Sequence, residues 1–120
     1  MLRTSFACLV ASLALWPLTV AAADAPFAGT WATDIQQCGN DQGAENPPLV
    51  LTMTTYDQGE AHCTLSEVKE DGGAWKADAK CSVEGDEQEG TFTFVVDGDK
   101  LTIRDDSGER SLSRCPQPHD

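Results

Sequence analysis

The sequence predicts an all-β fold, a small antiparallel up-and-down β-barrel or strongly coiled meander of about seven strands with two disulfides. Three observations predict it. From Leu49 to Leu112, apolar and polar residues alternate with the two-residue period of a strand, broken by turn sequences such as Asp71-Gly72-Gly73 and Asp97-Gly98. Cys63 and Cys81 lie equally far from Gly72, so a reversal centred there makes them opposed partners within a disulfide's reach. No long amphipathic helix is available to cover the apolar face, so the sheet must curl on itself.

The N-terminal segment is set apart from this pattern. Arg3 precedes an apolar run from Phe6 to Val20, and Ala21-Ala22-Ala23 offers the small residues that a signal peptidase recognises. Pro17, and a run shorter than the roughly 20 residues of a bilayer-spanning helix, point to a cleaved signal peptide over residues 1–23. Cys8 belongs to it. Residues 24–120 then form a single disulfide-bonded β domain, small enough for covalent staples to matter. Cys38, Cys63, Cys81 and Cys115 are an even set, which in an exported chain implies two bridges. With Cys63 joined to Cys81 by the hairpin, Cys38 is left for Cys115. There is no Cys-x-x-Cys, so neither a thioredoxin-like redox site nor a zinc ribbon is indicated.

Taken in order, Gly29 to Ala32 reads as the first strand, with Trp31 as an interior plug. Thr33 to Gln37 reads as one helical turn, N-capped by Thr33 or Asp34. Gly39 to Pro48, rich in Gly, Asn, Asp and Pro, reads as the longest loop. A strand from Leu49 to Tyr56 is expected to reverse at Asp57-Gln58-Gly59, placing Met53 opposite Cys63 and Leu51 opposite Leu65. Across the central hairpin Leu65 faces Ala79. An acidic tip, Asp86-Glu87-Gln88-Glu89 between Gly85 and Gly90, then places Val83 opposite Phe92 and Cys81 opposite Phe94. Asp97-Gly98 sets Phe94 against Leu101, a four-residue loop over Asp97 to Lys100 keeping the same parity. Ser107-Gly108 sets Ile103 against Leu112.

One face so defined carries Leu49, Leu51, Met53, Cys63, Leu65, Ala79, Cys81, Val83, Phe92, Phe94, Val96, Leu101, Ile103 and Leu112. The other is mainly Thr, Ser, Lys and Arg, with Val50, Val68 and Val95 as exceptions. A one-residue slip would expose the whole apolar row, so the pattern constrains register. Trp75 is expected to pack near a hairpin tip, and a Cys38–Cys115 bridge to hold the two ends of the sheet together.

Gly29-Thr30-Trp31 at the head of such a meander resembles the Gly-x-Trp opening of lipocalin-like and avidin-like barrels. The chain also looks like an uncharacterised group of small exported, periplasmic Gram-negative proteins. Those share a Gly-Thr-Trp-Ala start, a Tyr-Asp-Gln turn before a His-Cys pair, and a closing Arg-Cys-Pro. Here the pieces are Gly29 to Ala32, Tyr56 to Gln58, His62-Cys63 and Arg114 to Pro116. The resemblance implies a compartment, periplasmic or secreted, and a β fold without an activity.

Twenty acidic against eight basic residues give a formal net charge of −12. Loss of Arg3 with the leader makes it −13. That balance argues against nucleic acid and anionic membranes, whose phosphates require Lys and Arg; it serves solubility in the periplasm and permits steering toward a cationic protein. Glu84, Asp86, Glu87 and Glu89 are the candidate contact residues. His62, turned outward beside Cys63, has Glu60 on its own strand and Ser82 and Glu84 across the pair, a set that suits a divalent ion such as zinc. A Ser82-His62-Glu60 triad lacks a foreseeable oxyanion pocket, and His119 sits in a Pro-rich tail. Acidic residues at hairpin tips do not form an Asp-x-Asp-x-Asp-Gly calcium loop. The expectation is therefore a monomeric, non-catalytic binding or inhibitor-type protein with an acidic surface and no cofactor, similar in class to small exported barrels that inhibit lysozymes or secreted proteases. The alternative is a small-molecule or metal-binding β-barrel using Trp31, Trp75 or the His62 face.

Overall fold

Eight antiparallel strands close into a barrel in simple sequence order. The structure, a computed structural model, describes residues 25–116. The expected signal peptide over residues 1–23, and His119, lie outside the described residues. The strands are β1 (Gly29–Ala32), β2 (Leu49–Leu51), β3 (Thr55–Gln58), β4 (Ala61–Asp71), β5 (Ala74–Val83), β6 (Asp86–Asp97), β7 (Lys100–Asp105) and β8 (Gly108–Arg114). A 3-10 helix, Ile35–Gly39, follows β1. Asp34 is its N-cap, accepting from the Gln36 amide, while the Gln37 side chain reaches back to the Asp34 amide.

There are eight strands rather than seven because Leu49 to Tyr56 is two strands. Thr-Met-Thr-Thr has the β-branched composition of a strand, but the Thr52 hydroxyl accepts from the amides of Thr54 (3.2 Å) and Thr55 (2.9 Å) and turns the chain. Leu51 then pairs with Tyr56, and a two-residue turn at Gly59-Glu60 pairs Tyr56 with Cys63. The parity of this segment reverses. Tyr56 is buried and Met53 is exposed, the opposite of the expectation.

The central hairpin opposes Cys63 to Cys81 and Leu65 to Ala79, as the cysteines require. Their Cα atoms are 4.0 Å apart, the closer, non-hydrogen-bonded kind of opposed pair. The turn itself is the two residues Gly72-Gly73, and a β-bulge compensates. Glu67 (φ 52°) and Val68 together oppose Ala77, which shifts the outer half of β4 by one residue. The bulge turns Val68 toward the core and so explains one exception to the alternation.

The remaining hairpins keep the expected parity but not the expected partners. β5 reverses at Glu84-Gly85, so Phe92 faces Ala77 and Phe94 faces Trp75. Asp86 to Glu89 is therefore not a tip but the first third of a twelve-residue strand. Glu84 accepts a left-handed φ of 51° to make that turn, a conformation the sequence does not advertise in a Glu. Phe94 faces Ile103 and Val96 faces Leu101, the register of the alternative Asp97 to Lys100 loop, while a turn at Asp106-Ser107 rather than Ser107-Gly108 sets Leu101, not Ile103, against Leu112.

The interior is filled along its axis by aromatic rings. Tyr56 stacks on Phe92 (4.8 Å), Phe92 neighbours Phe94 (5.6 Å), Phe94 stacks on Phe27 (4.8 Å), and Phe27 meets the edge of Trp75 (5.6 Å). Leu49, Leu51, Leu101, Ile103 and Leu112 pack around the stack, fully buried. Burial of each such side chain contributes roughly 1.5–3 kcal/mol. Trp31, also fully buried, donates its indole N–H to the Phe27 carbonyl (2.9 Å), and the Arg114 guanidinium lies 4.3 Å over its ring. The Gly-x-Trp opening has a local reason. Gly29 adopts a φ of 143°, and a Cβ there would sit 3.3 Å from the Arg114 side chain. The barrel closes where β1 meets β8 in only two pairs, Trp31 with Arg114 and Ala32 with Ser113, and the Cys38–Cys115 bridge adjoins this seam.

Candidate functional site

The end of the barrel that carries the turns Gly59-Glu60, Glu84-Gly85 and Asp106-Ser107 holds the acidic candidates and the His62 set, whereas Trp31 is buried and Trp75 lies toward the opposite, Gly72-Gly73 turn. Up-and-down connectivity places these three turns at one end, and the long loop after the 3-10 helix is tied there. Gln42 accepts from the Gly59 amide (2.7 Å) and donates to the Pro48 carbonyl (2.9 Å), while Gln58 donates to the Pro47 carbonyl (3.1 Å).

His62 does face Ser82 across the central pair. Its close polar partner is Asp57, whose carboxylate lies 2.8 Å from Nδ1. Asp57 went unforeseen because the expected β3 register put Thr54 opposite His62. Glu60 and Glu84 occupy the two neighbouring turns, linked by the Glu84 amide donating to the Glu60 carbonyl (3.4 Å). All three border one open depression with Ser82 and Gln42. Among the described residues, no three His, Cys, Asp or Glu side chains converge as a metal ion would require.

Asp86, Glu87 and Glu89 lie along β6, all exposed. With Glu84 they make the β5–β6 hairpin an acidic arm. Lys80, opposite Glu89, is the cation paired with this acidic stretch, and its ammonium is 3.9 Å from that carboxylate with both side chains about four-fifths exposed, a pair worth little. The shorter Arg104–Glu109 pair (2.7 Å), also largely exposed, joins β7 to β8 and involves none of the arm's carboxylates.

Beside the arm the wall of the barrel is open. β6 pairs with β7 only from Thr93 to Asp97, because β7 ends at Asp105. Beneath the unpaired half lies a cleft of about 160 Å³, floored by Ala79, Cys81 and Phe92 and rimmed by Gly90 and the Asp105–Ser107 turn. Asp105 shapes that rim. Its carboxylate accepts from the Ser107 hydroxyl (2.6 Å) and from the amides of Ser107 (2.8 Å) and Gly108 (3.1 Å). These bonds, the hydroxyl's foremost, hold its pKa below the ordinary value despite some desolvation.

Sequence reasoning missed a polar cluster closing this end. Arg110 donates to the Tyr56 hydroxyl and to Gln58 Oε1 (3.0 Å) across the mouth of the barrel. Burial pushes the Tyr56 pKa up, against the opposing pull of Arg110. The signal was present in Arg110, which shares the inward parity of Leu112 on β8. Tyr56 was hidden by the merged strand.

Comparison with protein-family models, with curated proteins and with solved structures returns no match.

Proposed function

We propose that this is an exported, non-catalytic binding protein of the inhibitor type, acting in the periplasm or outside the cell, whose acidic β5–β6 arm engages a cationic protein. The observation that carries the reading is the arm itself, with Glu84, Asp86, Glu87 and Glu89 exposed around one turn and, on the part of β5 paired with Asp86 to Glu89, one weakly placed lysine, Lys80. A net charge of −12 extends that field over the molecule and favours encounter with cations. The aromatic stack argues against carriage of a small molecule, since its rings occupy the space a ligand would take. Export is supported by the two disulfides and by the leader with its Ala21-Ala22-Ala23 site. The polar outward faces of the strands favour water over lipid, the reverse of a membrane barrel. A lipocalin-like relationship draws support from the Gly29-Thr30-Trp31 opening on an eight-stranded closed meander.

The test is capture by oxidised mature protein from periplasmic and culture extracts, compared with the E87K/E89K double variant. A basic protein retained by the wild type at low salt, released above about 0.3 M salt and lost by the variant supports the reading. An empty bait, or equal retention by the variant, counts against it.

A further inference from the structure

The arm has a second property, independent of its charge, which is an unpaired strand edge where β7 falls short of β6. Along β6 the odd-numbered residues direct their N–H and C=O toward β7, since Thr93, Val95 and Asp97 pair there while the two-residue turn makes Val83–Asp86 the first bonded pair with β5. Glu87, Glu89 and Thr91 continue that row past the end of β7. Among the described residues nothing accepts or donates to their backbone groups. The outer half of β4, from Ser66 to Asp71, also lacks a full neighbour, but it is interrupted by the Glu67 bulge, a common way to spoil an edge. β6 has no such interruption, for its register with β5 runs unbroken from Ala74–Val95 to Val83–Asp86. One edge is blunted and the other is regular.

We propose that the edge of β6 from Glu87 to Thr91 receives an extended, basic segment of a partner protein as an added strand. This rests on the reading of the arm as a cation-binding surface and specifies how the partner sits. Strand addition supplies backbone hydrogen bonds, while alternate side chains supply specificity. Here the alternation is defined on both sides. Side chains on the outer face of the added strand lie beside Glu87 and Glu89, which selects Lys or Arg. Those on the inner face enter the cleft over Ala79, Cys81 and Phe92, which selects small apolar residues. The same glutamates disfavour a second copy of this chain, because edge-to-edge pairing would set carboxylates against carboxylates.

The experiment uses the oxidised full mature chain and the terminally blocked peptide Thr-Lys-Val-Arg-Val-Lys-Thr. Binding is read by calorimetry and by residue-resolved amide exchange. Three comparisons accompany it: the peptide N-methylated at alternate residues, the variant T91P and the variant E87Q/E89Q. T91P removes an outward N–H that no neighbour uses, so it leaves the β5 ladder intact. The expected result is slowed exchange at Glu87, Glu89 and Thr91 on adding peptide, with affinity falling roughly tenfold or more for T91P or for the methylated peptide. E87Q/E89Q weakens binding less and flattens its salt dependence. If T91P unfolds, the methylated peptide on wild-type protein probes the same backbone hydrogen bonds from the other side. Binding indifferent to both T91P and N-methylation overturns strand addition and leaves the charge reading standing. Absence of peptide binding, while wild-type protein still captures a cationic protein that E87K/E89K does not, overturns strand addition alone. If that capture fails as well, both fall. Protection of the same amides by raising protein concentration without peptide also overturns the proposal, since the occupant is then a second copy.

Discussion

Replacing Cys38 and Cys115 together by alanine removes the bridge that spans a sequence separation of 77 residues. In the chain-entropy treatment, the freedom returned to the unfolded chain costs about 4.5 kcal/mol for that loop, against about 3.2 kcal/mol for the 18-residue separation closed by Cys63–Cys81. Two structural terms act in the same direction. Cys115 is buried, and its amide donates to the Thr30 carbonyl (2.8 Å) next to the two-pair seam that closes the barrel. Domains of this size have roughly 5–15 kcal/mol of stability in total, so the loss is about 30% of it or more. The assay is guanidinium unfolding followed by tryptophan fluorescence for the wild type and for each double-alanine variant. The Cys38/Cys115 variant is expected to be the less stable of the two and to show the larger m value, because its unfolded chain expands further. The entropic reasoning is refuted if removing the short bridge costs more, or if removing the long one costs under about 1 kcal/mol.

Tyr56 is the chain's one tyrosine, so ultraviolet titration reads it directly, and it should ionise above 10. A proton held more tightly in the folded state gives stability that is full below the unfolded pKa and lost as pH rises through the folded one, so alkaline unfolding should track that titration. S107A removes the largest contribution holding the Asp105 pKa down; proton NMR should find it closer to 3.8, and the small stabilisation lost as pH falls through the folded pKa should shrink. F27A deletes the ring between Trp75 and Phe94 and should cost about 3–5 kcal/mol in urea unfolding, whereas M53A, at an exposed turn, should cost under about 0.5 kcal/mol.

Much of the fold is legible in the residues because parity survives errors of register. Moving the β5–β6 turn from Asp86–Glu89 to Glu84-Gly85 shifts each partner but leaves Phe92 and Phe94 facing inward, since an even displacement preserves the face. The cysteines are legible for a different reason: a disulfide demands opposed Cα atoms, and the Gly72-Gly73 turn and the Glu67 bulge offset one another to provide them. Two features were hidden by local chemistry that composition does not encode. The Thr52 hydroxyl turns a β-branched run, which reverses Met53 and Tyr56, and a left-handed Glu84 makes the turn just ahead of the acidic run expected to form it. The candidate site inherited that second error. Read as a tip, the acidic run offers charge alone. As a strand, it offers charge on an open edge above a cleft, a property that depends on where β7 stops and so cannot be read from β6.

The most direct test is backbone amide exchange along β6 in the free protein. Alternation is predicted, with Glu87, Glu89 and Thr91 exchanging rapidly at the open edge and Gln88, Gly90 and Phe92 protected by β5. Uniformly fast exchange from Asp86 to Glu89 would mean that these residues form a hairpin tip, and uniformly slow exchange that the edge is already covered. Either result would contradict an acidic, half-paired strand as the binding surface of this protein.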